Sequence, residues 1–363
     1  MTTQPSTRSK RALVMAGGTG GHIFPALAVA QQLQAQGWDV SWLGTPGSME
    51  SQIVPRHGIA VQAIDFSGVR GKGLKTLLLL PLRLLKAFAQ SWSIVGRVQP
   101  DVVLGFGGYV TFPGAMMAVL RGKPLVLHEQ NAVAGMANRW LAPIADRIFT
   151  AFPSAFAGHK RAQWVGNPLR ADFLRQATPS ARLANRTGPL RLLVVGGSLG
   201  AKALNDTVPK ALALMPEAQR PVVTHQSGAK NLDGLERNYA EAGVEATLVP
   251  FIDNMAQALA DADLILCRSG ASTVTEIAAV GAAAIYVPFP AAVDDHQTRN
   301  AEFLVQAGGG WLLPQSQMKP DVLAKLLLNM ERQDIVQKAD AAKSMQKITA
   351  TDEVVRACEE LSA

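Results

Sequence analysis

Short runs of consecutive apolar residues recur along the chain, and each ends in a glycine-rich or polar turn. Residues 12–16 (ALVMA) run into GGTGGH at 17–22, residues 101–104 (DVVL) run into GFGGY at 105–109, and PLVLHEQN at 124–131 closes on four polar residues. A run that is apolar on both faces and stops at a turn reads as a strand buried inside a parallel sheet. After the first strand, residues 25–36 carry helical spacing with Gly37 in the C-cap position, and a second strand follows at 40–43, a βαβ opening. Residues 148–149 and 164–165 read as short strands closing this half. The second half repeats the grammar. Residues 190–195 lead into GGSLGA at 196–201 and a helix from Lys202, and another strand lies within 218–226. Residues 263–267 (DLILC) lead into RSGAS, a helix at 273–280 and a strand at 283–287. The strand–glycine turn–helix unit at 17 recurs 179 residues later at 196. The pattern predicts two Rossmann-like α/β domains in tandem, with ligands at the carboxyl ends of the strands, where all the polar motifs fall. The linker is expected near VGNPLR at 165–170, so the domains are read as 10–168 and 169–340. The tail over 334–361 reads as helical, and its last part, 341–363, is a helix that would pack back on the first domain.

Composition narrows the class. A chain of 363 residues holds two or three domains of ordinary size, and 48% apolar content excludes a disordered or fibrous protein. The net charge of +7 is unevenly spread: residues 1–170 hold 17 Lys and Arg against 6 Asp and Glu, whereas residues 171–363 hold 18 against 22. The halves are therefore expected to meet different partners. Two cysteines, Cys267 and Cys358, make no disulfide framework and read as reduced thiols of a cytosolic protein. Arg8, Lys10 and Arg11 precede an apolar run too short for a signal peptide, and no stretch reaches the length of a transmembrane helix. Residues 68–97 stand apart. Arg70, Lys72, Lys75, Arg83 and Lys86 flank or interrupt a leucine-rich run that includes Leu78 and Leu79, with no acidic residue. Apolar residues edged by cations suit an anionic membrane surface; a core helix with a cationic rim reads the same residues more plainly. Nucleic acid is disfavoured, because no interleaved aromatic residues accompany the charge.

Several motifs carry candidate chemistry. Glycines directly after a strand let backbone amides approach a phosphate or a sugar. GGTGGH lacks the G-x-G-x-x-G spacing of a dinucleotide site, and the second strand ends in Gly44 and Thr45, without the acid that would hold a ribose. His22 at the helix start suits general-base work near neutral pH, although a helix-start histidine also occurs for structural reasons. In RSGASTVTE at 268–276, the amides of Ala271, Ser272 and Thr273 would face an anion, and Glu276 would accept from ribose hydroxyls; an ordinary N-cap is the alternative. Asp295 and Gln297 could bind sugar hydroxyls, His128, Glu129 and Asn131 end a strand, and Arg170 is placed to meet a diphosphate. Asp261 and Asp263 fit a D-x-D pattern but read as a lead-in to a strand, and no zinc-type cluster or nucleophile elbow appears.

Taken together, GGTGGH (17–22), SGVRGKG (67–73), GFGGY (105–109), HEQN (128–131), VGNPLR (165–170), GGSLGA (196–201) and RSGASTVTEIA (268–278) resemble the MurG family of UDP-N-acetylglucosamine:undecaprenyl-pyrophosphoryl-MurNAc-pentapeptide GlcNAc transferases. The resemblance runs from about Arg11 to Gly310 in the family's order. It implies a GT-B fold, with two Rossmann-like domains facing an interdomain cleft. The lipid-linked acceptor would be taken by the N-terminal domain and UDP-GlcNAc by the C-terminal one, at the cytoplasmic face of the inner membrane. It implies donor contacts from Thr19, Gly20, Gly21, Asn131, Arg170, Ser198, Ile252 (through its backbone), Ala271, Ser272, Thr273, Val274, Thr275, Glu276 and Gln297. Leu199 stands where the family often has Gln. The expected reaction is an inverting transfer with His22 or Glu129 as base. No metal or cofactor bound by a protein motif is expected, with a dissolved divalent cation allowed as a stimulant. A soluble acceptor is the rival reading.

Overall fold

Every run read above as a strand forms one. The structure is a computed structural model and describes residues 8–66, 79–197 and 200–363. The chain forms two compact units, one comprising residues up to Leu169 together with Ile348–Ala363, the other Arg170–Lys347.

The first unit is built on β1 (Arg11–Met15), β2 (Asp39–Gly44), β3 (Ala60–Ala63), β4 (Val102–Gly105), β5 (Leu125–Glu129), β6 (Arg147–Thr150) and β7 (Ala162–Trp164). They pair in parallel in the order β3-β2-β1-β4-β5-β6-β7. Connections run in opposite directions from β1 and β4, so their exit loops diverge and leave a crevice at the carboxyl ends of the strands. Helix α1 (Gly20–Ala35) starts five residues before its apolar periodicity, at glycines that no propensity argument would choose. Its buried side, Ile23, Ala26, Val29, Ala30 and Leu33, shares a core with Val354, Val355 and Cys358 of the C-terminal helix Ala350–Leu361. That helix is further tied by Gln32 Nε2 donating to Asp352 Oδ1 at 2.6 Å. The helical tail consists of that helix and a separate one at Arg332–Ser344, which belongs to the second unit. On the opposite face of the sheet, α2 (Leu80–Val98) and α3 (Thr111–Leu120) cover Leu13, Met15, Leu43 and Leu127.

The second unit repeats the plan with β8 (Arg191–Val195), β9 (Val222–Gln226), β10 (Thr247–Val249), β11 (Leu264–Cys267), β12 (Ala283–Tyr286) and β13 (Trp311–Leu312), ordered β10-β9-β8-β11-β12-β13. Its helices include α4 (Lys202–Ala213), α5 (Ala271–Val280) and α6 (His296–Gln306). One device recurs at the amino ends of both sheets. Asp101, Asp146 and Asp263 each precede a strand and accept the first amide of the neighbouring one, from Arg11, Leu125 and Arg191, all at 2.8 Å. Asp263 also pairs with Arg186 (2.8 Å) and Arg332 (3.2 Å) while nearly fully buried. The D-x-D carboxylate is thus engaged in structural pairs at the end of the sheet opposite the glycine-rich exits.

Candidate active site

In the first unit the exits of β1 and β4 lock together through glycine. A Cβ on Gly108 would lie 2.4 Å from Gly17 O, and Gly18, Gly107 and Gly108 all take positive φ (93°, 93° and 84°). Thr19 is the N-cap of α1 with an extended backbone; its carbonyl accepts from His22 N (3.0 Å) and Ile23 N (3.2 Å), while Gly20 and Gly21 form the first helical positions. His22 Nδ1 lies 3.1 Å from Gly17 O. A carbonyl oxygen only accepts, so Nδ1 carries the proton and Nε2 is the basic nitrogen. The ring passes against Gly107, where a Cβ would come within 3.2 Å of Nε2.

The β5 exit behaves differently from its sequence. His128 is buried, donates from Nε2 to Gly166 O (2.9 Å) and accepts Gln130 Nε2 at Nδ1 (3.0 Å). Burial pulls its pKa down to about 4, against a smaller upward effect of the Gly166 carbonyl, so the ring is neutral. Glu129 is also buried and serves its own loop. Oε1 accepts from Asn131 N (3.0 Å) and Asn131 Nδ2 (3.4 Å), and Oε2 accepts from Gly135 N and Asn138 Nδ2 (both 2.9 Å). Both oxygens are engaged in holding residues 129–138, a geometry that favours His22 over Glu129 as a proton acceptor.

In the second unit, α5 opens at the β11 exit behind Gly270, whose backbone forms the N-cap with no side-chain cap. The amides of Ala271, Ser272 and Thr273 precede the first intrahelical bond, from Val274 N to Gly270 O (3.0 Å). Ser272 Oγ is shielded from solvent and has no hydrogen-bond partner among the described residues. The Val274 side chain is wholly buried and its amide is used by the helix. Thr275 Oγ1 donates back to Ala271 O (2.9 Å) and Ser272 O (3.0 Å), which turns the hydroxyl toward the helix. Glu276, one turn in, is partly buried. Loss of hydration pushes its carboxyl up to about 7, and the Arg170 guanidinium pulls the other way. Arg170 is exposed and stands 5.2 Å over the Phe173 ring.

Gln297, in the first turn of α6, accepts Phe289 N at Oε1 (2.9 Å), which leaves its amide nitrogen as the donor. Asp294 and Asp295 before it both adopt left-handed backbone (φ 53° and 50°), an uncommon state for non-glycine residues. Ile252 is half-buried in the loop after β10. Ser198, Arg70, Lys72, Lys75 and Leu78 lie outside the described residues. Leu79 and Arg83 are exposed, and Lys86 pairs with Asp65 at 2.5 Å, an acid supplied from outside the basic segment.

Sequence reasoning missed the supports. Arg268 donates to Val287 O (3.0 Å), Pro288 O (3.2 Å) and Gln315 Oε1 (2.7 Å), and the buried Asn300 donates to Ser269 O (3.2 Å), so the β11 and β12 exits are braced as one piece. Arg268 lay inside a motif and Asn300 in a polar run, but no spacing marks either.

Comparison with known proteins places these sites in context. The model of the glycosyltransferase family 28 N-terminal domain matches residues 12–150, and that of the C-terminal domain matches residues 191–356. A UDP-N-acetylglucosamine–N-acetylmuramyl-(pentapeptide) pyrophosphoryl-undecaprenol N-acetylglucosamine transferase from Paracidovorax citrulli is 69% identical, over 98% of this chain and 100% of its own. The same-named protein of Verminephrobacter eiseniae is 65% identical, again over 98% and 100%. Among solved structures, MurG of Acinetobacter baumannii superposes with a TM-score of 0.84 at 42% identity, over 97% of this chain and 99% of its own. A calicheamicin glycosyltransferase, at 17% identity and a TM-score of 0.67 over 98% of each chain, shares the fold alone.

Proposed function

The chain belongs to glycosyltransferase family 28, and from that membership we infer that it moves N-acetylglucosamine from UDP-N-acetylglucosamine to the C4 hydroxyl of N-acetylmuramic acid in undecaprenyl-pyrophosphoryl-MurNAc-pentapeptide, forming lipid II for peptidoglycan. Its two parallel Rossmann-like sheets are those of the GT-B fold. The near-full-length identity to transferases of that name carries the reading.

The two units offer different chemistry to such a transfer. In the reading advanced here, His22 Nε2 takes the proton of the acceptor hydroxyl as its oxygen attacks the anomeric carbon, with Nδ1–H anchored on Gly17 O. The bond from that carbon to the diphosphate breaks as the new one forms, inverting the centre. The charge gathering on UDP is met by the α5 amides of Ala271 to Thr273 and by the Arg170 cation. Glu276 accepts from the ribose hydroxyls, Gln297 donates to the sugar, and the Ile252 backbone meets the uracil. Thr19, Gly20, Gly21 and Asn131 are carried into this reading as donor contacts by the motifs GGTGGH and HEQN. Glu129 acts by shaping the loop that carries Asn131.

Membrane association is part of the same reading. Leu82 and Leu85 on α2 are 65% and 64% exposed, beside exposed Leu79 and Trp92, and the sequence adds Arg70, Lys72, Lys75 and Leu78 just before them. Among the described residues no helix is long and apolar enough to cross a membrane. The first unit would therefore lie on the anionic cytoplasmic face of the inner membrane, where the lipid-linked acceptor resides. The test supplies purified protein with UDP-GlcNAc and the lipid-linked MurNAc-pentapeptide. UDP and the lipid-linked disaccharide are expected together. UDP release only with a soluble acceptor would reject the lipid assignment.

A further inference from the structure

The first unit buries an acid that the roles above leave unused. Glu50 lies in the single helical turn Met49–Ile53 after β2 and is fully buried. Its Oε1 accepts from Thr45 N at 3.1 Å and its Oε2 from Gly18 N at 3.4 Å. No ion pair among the described residues includes it. A buried carboxylate without a cation depends on such amide donors. The surrounding chain is cut to fit it: a Cβ on Gly17 would lie 2.9 Å from Glu50 Oε1, and one on Gly44 would lie 2.8 Å from its Cγ.

The amide of Gly18 and the carbonyl of Gly17 belong to the same peptide group. Its N–H donates to Glu50, and its C=O accepts His22 Nδ1–H at 3.1 Å. An acid drawing on the N–H end moves electron density onto the oxygen and makes it a better acceptor, since hydrogen bonds in series polarise one another. A better acceptor at Nδ1–H favours the imidazolium that forms when Nε2 takes a proton. We propose that Glu50 is a positioning residue, acting through the peptide between Gly17 and Gly18 to fix the tautomer of His22 and raise the basicity of its Nε2. The proposal rests on the reading of His22 as the base.

The titratable groups on the neighbouring exits do not duplicate this link. His128 is neutral and bonded to Gly166 O, Glu129 is engaged by its own loop, and burial with the Glu50 charge pushes the Tyr109 phenol up, so it too is neutral. Helix α1 carries no titratable side chain besides His22.

The test compares wild type, Glu50→Gln and His22→Ala in turnover against pH with UDP-GlcNAc and the lipid-linked acceptor, and adds a ring-¹⁵N NMR titration of His22. Glu50→Gln keeps the shape and removes the charge. It is expected to lower kcat roughly tenfold and to move both the acid limb of kcat/KM and the His22 titration down by about half a pH unit, with UDP affinity unchanged. Loss of kcat with neither shift would mean a merely structural acid and overturn the proposal, as would no loss at all. A wild-type spectrum with the neutral proton on Nε2 overturns it without any variant, which covers a Glu50→Gln protein that does not fold. If His22→Ala keeps its turnover, the base assignment itself fails. If His22→Ala is inactive and Glu50→Gln is unshifted, only the relay fails.

Discussion

The β1 exit of the first unit and the β11 exit of the second each flank the point where strand order reverses in their own sheet, β1 in the place that β8 takes in the second and β11 in the place that β4 takes in the first, and they are built in opposite ways. At the first, glycines let two loops interlock, the buried Glu50 takes up the amides of Gly18 and Thr45, and a histidine ring is fixed against a carbonyl. At the second, α5 opens without a side-chain cap, its first amides stay uncommitted to the helix, and a partly buried acid stands one turn away beside an arginine. On the proposed function, the first arrangement would supply the proton acceptor and the second the anion site. The contrast also explains why charge patterning misleads about the donor. The second half is net acidic in sequence, but a diphosphate would be met by local amides and Arg170, whereas the basic excess of the first half includes Arg70, Lys72 and Lys75 in the sequence before α2 and Arg83 and Lys86 on it.

The largest effect should come from breaking the interlock. Gly108→Ala forces a Cβ into Gly17 O at a positive φ and should cost about 3 kcal/mol of stability, read as a lowered Tm; an unchanged Tm would mean that the loops are not locked. Next, Glu276→Ala should weaken UDP-GlcNAc binding roughly tenfold to a hundredfold in calorimetry, and unchanged affinity would remove the ribose contact.

A subtler effect concerns Glu276 itself. Its folded carboxyl sits near 7, above the ordinary value of 4.5, so the folded state holds the extra proton between those values. Stability should then fall as pH rises from about 4.5 to about 7 and level off above it. Glu276→Gln should remove that slope and gain at most about 2 kcal/mol at alkaline pH, after allowance for partial exposure. On the proposed assignment ribose hydroxyls would donate to the ionised form, so donor affinity of the native protein should rise through pH 7; a flat profile would contradict the assignment. Smallest of all, Leu82→Ser with Leu85→Ser should change stability by only a few tenths of a kcal/mol while reducing co-sedimentation with anionic liposomes. Unaltered co-sedimentation would move the membrane contact away from α2.

The central strands are legible in sequence because both faces are buried and the residues run apolar without a break. Three of the four edge strands, β3, β10 and β13, are not. Ala60–Ala63 is half exposed, and Trp311–Leu312 is two residues long, so neither offers a run or an alternation to find. The motifs stand out because glycine is demanded wherever backbones nearly touch, as at Gly108. Glu50 is hidden for the reverse reason. It sits in TPGSMES, which reads as an exposed polar loop, and only the fold shows that its carboxylate is enclosed. Glu129 reads in sequence as an alternative base or a support for His22, and only the fold shows the four donors that engage it; the burial of Val274 and the use of its amide by Gly270 O are likewise visible only in the fold.

The division of labour between the two exits is tested most directly by measuring, on one preparation of His22→Ala, both turnover with the lipid-linked acceptor and binding of UDP-GlcNAc. Turnover should fall by at least about a hundredfold while donor affinity stays within about twofold of the native protein, less than half a kcal/mol. Near-normal turnover, or a loss of donor affinity that accounts for the whole defect, would contradict the placement of the base on the first unit and the donor site on the second.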